Sequence, residues 1–212
     1  FFDSYVQNEN QYQGNVRFRT SGPLIEYISS SEFLDFVKLY PNIKVRADIT
    51  QDLSDFDITE TDVALDYFPL KDKDNVVIKT QKVTLGLFAS LKYIEEFGCP
   101  TDLADLYAHH RLCLKTGQQT KIPCVKELTD HMQHIAFSSD SEMVFRTAMK
   151  NGLGIGLCPV AYGLGNLVRL DNLNFEDDID IYLFAHKNTK DIPRIRVFIN
   201  YIKNVLDKVY IV

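Results

Sequence analysis

SSDSEMVFRTAMKNGLGIGLCP, residues Ser138 to Pro159, reads as a short loop, a helix, a glycine-punctuated turn and a buried strand closed by proline. Ser138 and Ser139 are placed to cap the helix, since a short side-chain oxygen accepts a bond from a free N–H of the first turn. Met143, Phe145, Ala148 and Met149 recur at roughly helical spacing among Glu142, Arg146 and Lys150. Asn151-Gly152 stops the helix, because both residues tolerate the left-handed backbone of a C-terminal cap. Leu153 to Cys158 is a short apolar run whose glycines mark close approach of backbones. Helix followed by buried strand is the repeating unit of an α/β domain.

The residues before this stretch extend the pattern. Residues 1–13 show little periodicity and read as the end of a connector. Asn15 to Arg19 alternates as a strand, and Pro23 suits the first position of a helix running to about Tyr40. That helix is apolar nearly all round (Leu24, Ile25, Tyr27, Ile28, Phe33, Leu34, Phe36, Val37, Leu39, Tyr40), so more than one of its sides needs cover; a second subunit would supply it. Ile43 to Ile49 and Val63 to Leu65 are further strands, joined by a connector through Asp52 to Glu60. Strand, helix, strand, connector, strand begins a parallel sheet. Val76 to Lys79 and Val83 to Phe88 read as two more strands. A helix capped by Ser90 ends at Gly98, a second covers Asp102 to Tyr107, and Arg111 to Leu114 is a strand. Lys115 to Pro123 is a polar loop, Lys126 to Met132 a helix, and Ile135 to Phe137 a strand.

After Pro159, Val160 to Leu167 is a loop or short helix, Leu167 to Leu170 a strand and Ile179 to Ala185 an alternating strand. Ile195, Phe198, Ile199, Ile202, Val205, Leu206 and Val209 form one apolar stripe on a final helix that starts near Pro193.

Composition excludes several function classes. The 212 residues are 45% hydrophobic and 25% charged, enough apolar content for a sizeable core. No run approaches the ~20 apolar residues of a membrane span. The net charge of -6 disfavours a grip on a polyanion. Two acidic clusters (Asp52, Asp55, Asp57, Glu60 and Asp62; then Glu176 to Asp180) read as solvated surface, and the first lacks the spacing of a calcium loop. Cys99, Cys113, Cys124 and Cys158 form no CxxC pair, which fits a reducing cytosol and no structural metal. His109 and His110 are adjacent, so in regular structure their side chains diverge, and they read as ordinary surface or N-cap neighbours instead of ligands.

No enzyme constellation is present. The glycines of 152–156 follow a helix instead of opening one, so they are no dinucleotide fingerprint, and P-loop, GxSxG and HExxH patterns are missing. No cofactor is expected. A ligand site is. Thr20-Ser21-Gly22 lies between a strand end and a helix start, where hydroxyls and free N–H groups favour an anion. Ligands of parallel α/β sheets sit beyond the carboxyl ends of strands. By that rule Asp66-Tyr67, Lys115-Thr116 and Ser138-Ser139 face the same general region.

Taken together, GNVRFRTSGPL, LDFVKLYPNIKV, TDVALDYFPL, TLGLFASLKYIEEFGCPTDLADLYAHHRLCL, SDSEMVFRTAMKNGLGIGLCP and GNLVRL resemble, in order and spacing, the effector-binding domain of LysR-type transcriptional regulators. The resemblance runs from about Gly14 to Leu206. It implies an α/β fold of two Rossmann-like lobes, of the type 2 periplasmic-binding-protein kind, joined by two crossovers around an effector cleft. Residues 1–13 would end a linker, 14–87 with 187–212 form lobe I, and 88–186 form lobe II. A winged helix-turn-helix would precede the chain and make all contact with DNA; the whole would be cytoplasmic, with no membrane partner.

Carried over by the resemblance, Thr20, Ser21 and Gly22 hold an effector carboxylate, Asp66 and Tyr67 face them from the same lobe, and Lys115 and Thr116 come from the other. Ser139 and Pro159 are further candidates. Lys115 departs from the family, which does not generally place a cation there. The resemblance also implies a homodimer or homotetramer pairing lobe I of one subunit with lobe II of another, through elements such as 24–40 and 43–49. Two other readings remain beside a sensor of a small, anionic metabolite. One is a thiol-based redox sensor using Cys113 and Cys124, and the other a solute-binding protein of the same fold.

Overall fold

The computed structural model describes residues 10–25, 31–50, 60–69, 73–161 and 165–209. In chain order these form β1 (Gly14–Ser21), α1 (Ser31–Leu39), β2 (Ile43–Thr50), β3 (Val63–Asp66), β4 (Asn75–Ser90), α2 (Leu91–Phe97), α3 (Leu103–His109) and β5 (Leu112–Lys115). Then come α4 (Pro123–His131), β6 (Ile135–Ser139), α5 (Glu142–Lys150), β7 (Gly156–Pro159), β8 (Leu167–Arg169), β9 (Glu176–His186) and α6 (Pro193–Val209). The chain divides into two compact units, Phe1–Gln81 with Asp180–Val212, and Lys82–Ile179. Both divisions fall inside strands, β4 and β9, so the chain changes unit twice in extended backbone.

The first unit is organised around β1. Val16, Phe18 and Thr20 alternate inward and are buried. β2 and β3 flank β1 and run parallel to it, with Phe18 opposite Val63 and Thr20 opposite Leu65. β9 closes the other side of β3 antiparallel, giving the order β2-β1-β3-β9. The predicted parallel start of the sheet is therefore present. The stripe of α6 covers it: Ile195, Phe198, Ile199, Ile202, Val205 and Leu206 are buried, and the Phe198 ring meets Phe18 edge-on at 5.5 Å. The side chain of Val209 lies outside the described ones. Phe36 of α1 adds contacts to Phe198 at 5.7 Å and Tyr201 at 5.1 Å, and aromatic pairs of this kind contribute about 0.5–1.5 kcal/mol each beyond area burial.

Two expectations change in this unit. The helix predicted from Pro23 opens as a 3-10 turn at Gly22–Leu24; Ile25 is α-helical, α1 is helical from Ser31, and 26–30, with Tyr27 and Ile28, lie outside the described residues. Leu24 and Phe36 are buried, while Leu34, Val37 and Leu39 are exposed, Leu39 by 70%. The all-round apolar pattern thus becomes one buried stripe and one exposed apolar face. Asp62 is not solvated surface. It is 4% exposed; its carboxylate accepts from Arg17 N and from Arg17 Nη2, each at 2.9 Å, and Asp62 N donates to Arg17 O at 2.9 Å. The aspartate pins the entry of β3 to β1. Asp52, Asp55 and Asp57 lie outside the described residues.

In the second unit β4 is one strand where the sequence predicts two. The polar Thr80-Gln81-Lys82 reads as a break, yet the backbone continues through it. β7 and β8 pair antiparallel with its far half, Leu85 opposite Pro159 and Ser90 opposite Leu167. Ser90 caps α2 by accepting from Tyr93 N, as predicted, and Asp102 caps α3 by accepting from Asp105 N. β5 and β6 form a parallel pair, and α4 begins at Pro123, earlier than its polar surroundings predict.

The stretch 138–159 keeps its helix and strand but changes its cap. Ser138 and Ser139 end β6, and the N-cap of α5 is Ser141, whose hydroxyl accepts from Val144 N at 3.5 Å. Phe145, Ala148 and Met149 are buried against the unit, whereas Met143 is 75% exposed. The glycines serve close packing, as read. A Cβ on Gly154 would stand 2.8 Å from Arg111 O and 2.9 Å from Cys113 N. Between those atoms and Ile155 run two backbone bonds of 2.8 Å, Cys113 N to Ile155 O and Ile155 N to Arg111 O. A Cβ on Gly156 would meet the Met149 sulfur and, at 2.9 Å, Phe145 Cζ.

Candidate functional site

In the first unit, Thr20 and Ser21 are the last residues of β1, and Gly22 opens the 3-10 turn. Because β1 and β3 are parallel with Thr20 opposite Leu65, Ser21 and Asp66 follow at the same carboxyl edge. Five predicted residues, Thr20, Ser21, Gly22, Asp66 and Tyr67, are therefore brought to one edge. All but Gly22 are buried. Asp66 Oδ1 accepts from Tyr67 N at 2.7 Å, which turns the chain as it leaves β3.

The two hydroxyls are not equivalent. Thr20 Oγ1 donates to Ser21 O at 3.3 Å. Ser21 Oγ is buried and has no hydrogen-bond partner among the described residues, and it caps no N–H of the turn it precedes. A buried hydroxyl left unpaired costs about 1–3 kcal/mol. Such an atom is a donor and acceptor ready for a polar ligand group.

In the second unit, Lys115, Thr116 and Ser139 meet at the carboxyl edge of β5 and β6. Lys115 pairs with Ser139 in register, and Thr116 N donates to Ser139 O at 2.9 Å. Ser139 Oγ accepts from Ser141 N at 3.1 Å, tying the edge to the cap of α5. Lys115 Nζ donates to Thr116 O at 3.1 Å. Burial holds the ammonium below the usual lysine range, opposed by the negative charges of Glu142 and Asp140. Its charge is thus already faced by two carboxylates. Pro159 is buried as the last residue of β7, opposite Leu85 of β4; a parallel bridge between Ile155 and Leu112 sets β7 running in the same direction as β5, so Pro159 lies toward the same carboxyl edge.

The cysteines are poorly suited to chemistry. Cys113, Cys124 and Cys158 are buried and Cys99 exposed, none in a disulfide. Burial pushes the Cys113 thiol up to about 11; for Cys124 burial, then the neighbouring Asp177, push it to about 12. Among the described residues no group of three or more His, Cys, Asp and Glu could hold a metal ion. A groove of about 290 Å³ between α1 and α6, floored by Phe36, Tyr40 and Tyr201, includes none of the predicted site residues.

Sequence reasoning missed two elements of these edges. Ser141 holds the second edge through its backbone N–H, a role without a side-chain signature. The orphaned state of Ser21 depends on the turn taken after β1, which neighbouring letters do not specify.

The parallel entry β2-β1-β3 and the second α/β unit define an α/β fold of two Rossmann-like lobes of the periplasmic-binding-protein kind. The family model "LysR substrate binding domain" matches residues 9–207, and the chain belongs to that family. It is the effector-binding regulatory domain of a LysR-type transcriptional regulator. The structure is similar to the regulatory domain of CrgA, a LysR-type transcriptional regulator from Neisseria meningitidis, with 17% identity, a TM-score of 0.76, and coverage of 92% of this chain and 99% of that chain. It is also similar to full-length AphB, the Vibrio cholerae virulence activator (23% identity, TM-score 0.69, 95% of this chain and 73% of that one). Full-length CbnR in complex with its target DNA is a further match, at 15% identity and a TM-score of 0.65, over 96% of this chain and 73% of that one. The comparison with curated proteins gave no match.

Proposed function

We propose that the chain senses a small anionic metabolite at the carboxyl edge of the first unit's parallel strands. Ser21 and Thr20 would take a carboxylate beside Asp66 and Tyr67; Lys115, Thr116 and Ser139, with Pro159, are the candidate ligand groups of the second unit taken by itself. One observation carries this reading: Ser21 Oγ, buried and unpartnered at the carboxyl edge of a parallel sheet. In this reading residues 14–87 with 187–212 act as one lobe and 88–186 as the other. The ligand shifts the domain by binding one arrangement better than another. The signal passes to a winged helix-turn-helix N-terminal to residue 1, which alone touches DNA, in the cytoplasm and without catalysis. No helix among the described residues is long and apolar enough to cross a membrane.

The test is a thermal-shift screen of small carboxylates against the 212-residue chain. Thr20→Val and Ser21→Ala should abolish the shift given by any binder while leaving the ligand-free melting temperature within a few degrees. Normal binding by both variants would reject this site.

The self-association partner is a second copy. Among the described strands β2 is the edge of its sheet, with Ile49 60% exposed, and Leu34, Val37 and Leu39 of α1 are exposed as well. In the other unit β6 has β5 as its described partner, and Ile135, Met143 and Val144 are exposed. Two strand edges carrying apolar residues are surfaces that proteins ordinarily cover. Leu39→Glu with Met143→Lys should yield monomers in sedimentation velocity; an unchanged oligomer would place the interface elsewhere.

A further inference from the structure

We propose that Tyr93, His110 and Asp105 form a proton-operated latch in the second unit, which ties the start of β5 to α2 while His110 is neutral and releases it on protonation. The latch lies apart from every residue in the proposed ligand site, and its readouts need no ligand.

The geometry assigns the protons. Tyr93 is fully buried and His110 is 4% exposed. Arg111 N donates to Tyr93 Oη at 2.9 Å, so the phenol oxygen is already an acceptor on one side. His110 Nδ1 lies 3.1 Å from the same oxygen. Tyr93 has one hydrogen, and with Arg111 occupying one position that hydrogen points at Nδ1. Nδ1 must then be unprotonated, which leaves the ring hydrogen on Nε2, facing Asp105 Oδ2 at 3.7 Å. Adding a proton to Nδ1 sets two hydrogens against each other. The phenol hydrogen can turn only to the other in-plane position, which the Arg111 N–H holds. One of the two bonds must open.

All the charged neighbours bear on this balance. From α3, Asp105 favours the imidazolium; its carboxylate is also engaged by Thr101 N at 2.9 Å and by the exposed His109 Nδ1 at 3.1 Å. Charge on His109 opposes charge on His110. From the segment after α3, the Arg111 guanidinium lies over the Phe97 ring, 4.4 Å from its centroid, and its charge works against burial at the Tyr93 phenol. From α2, burial raises the Tyr93 phenol above its usual range, so it remains a neutral donor. Burial is the largest influence on His110 and holds it below the usual histidine range despite Asp105. The unfolded chain therefore takes up this proton first. Stability from the latch is full above about pH 6.5 and is lost as pH falls through the lower folded midpoint. Arg111 O also accepts from Ile155 N at 2.8 Å, so opening loosens the junction through which β5 starts.

NMR titration of the 212-residue chain, with hydrogen exchange of the Arg111 amide, tests the latch. His110 should titrate with a midpoint below about 6.5, and the Arg111 protection factor should fall by about tenfold or more as pH drops through it. In His110→Gln the amide oxygen can accept from Tyr93 and nothing titrates there, so Arg111 protection should stay flat over the same range. A His110 midpoint at or above about 6.5, or an equal loss of protection in His110→Gln, would overturn the proposal. Tyr93→Phe keeps the ring and removes the hydroxyl, and should move the His110 midpoint upward; no movement would also overturn it. Should Tyr93→Phe not fold, the wild-type and His110→Gln titrations decide the matter.

Discussion

Replacing Gly154 by alanine tests whether the 152–156 turn is glycine-rich for packing. The new methyl would stand 2.8 Å from Arg111 O, 2.9 Å from Cys113 N and 3.0 Å from the Leu112 carbonyl carbon. All three are backbone atoms of β5 and its entry, which cannot rotate aside. Relief requires the two backbones to separate by several tenths of an ångström. That stretches the bonds Cys113 N to Ile155 O and Ile155 N to Arg111 O, both 2.8 Å. Overpacking costs about 1–3 kcal/mol, and each weakened bond adds up to about 1 kcal/mol, so the expected loss is about 1–5 kcal/mol. Gly156→Ala is the contrast. Its methyl meets the flexible end of Met149 and the Phe145 ring edge, which can shift, and the expected loss is about 1–2 kcal/mol. Urea unfolding of both variants at constant slope gives the two values, and melting should fall by about 2–4 °C per kcal/mol for a chain of this size. Equal losses in the two variants, or a Gly154→Ala loss below about 0.5 kcal/mol, would refute the packing argument.

Asp62→Ala leaves Arg17 N without its acceptor and should cost about 2–3 kcal/mol in urea unfolding, below the value for a fully buried pair because the Arg17 side chain is 39% exposed. Ser141→Ala should cost about 0.5–1 kcal/mol as a lost N-cap, whereas Ser138→Ala should be near neutral. With folded-state thiols at about 11 and about 12, Cys113 and Cys124 should resist iodoacetamide at neutral pH while exposed Cys99 reacts, and mild peroxide should give no Cys113–Cys124 disulfide on peptide mapping. Rapid modification of either buried thiol would revive the redox reading.

What the letters disclosed, and what they hid, divides along physical lines. β1 and α6 were legible because one face of each is buried, so burial writes a period of two or 3.6 into the residues. β4 was not. Its Thr80-Gln81-Lys82 is polar where the strand passes from one unit to the next, and polarity there mimics a turn. Asp62 and His110 were read as surface because acidic and imidazole side chains usually are; their burial depends on Arg17 and Tyr93, 45 and 17 residues away. The cap of α5 was misplaced among three serines of equal capping propensity, and only the end of β6 decides that Ser141 serves. Residue types at strand ends located Thr20, Ser21, Asp66 and Tyr67 on one edge, since parallel pairing brings carboxyl ends together.

The central claim is that Ser21 Oγ awaits a ligand. Isothermal titration of wild type and Ser21→Ala with a carboxylate taken from the thermal-shift screen tests it most directly. Loss of a charge-assisted bond to Ser21 should weaken binding by about ten- to a hundredfold, equivalent to about 1.5–3 kcal/mol. Equal affinities in the two proteins would contradict it.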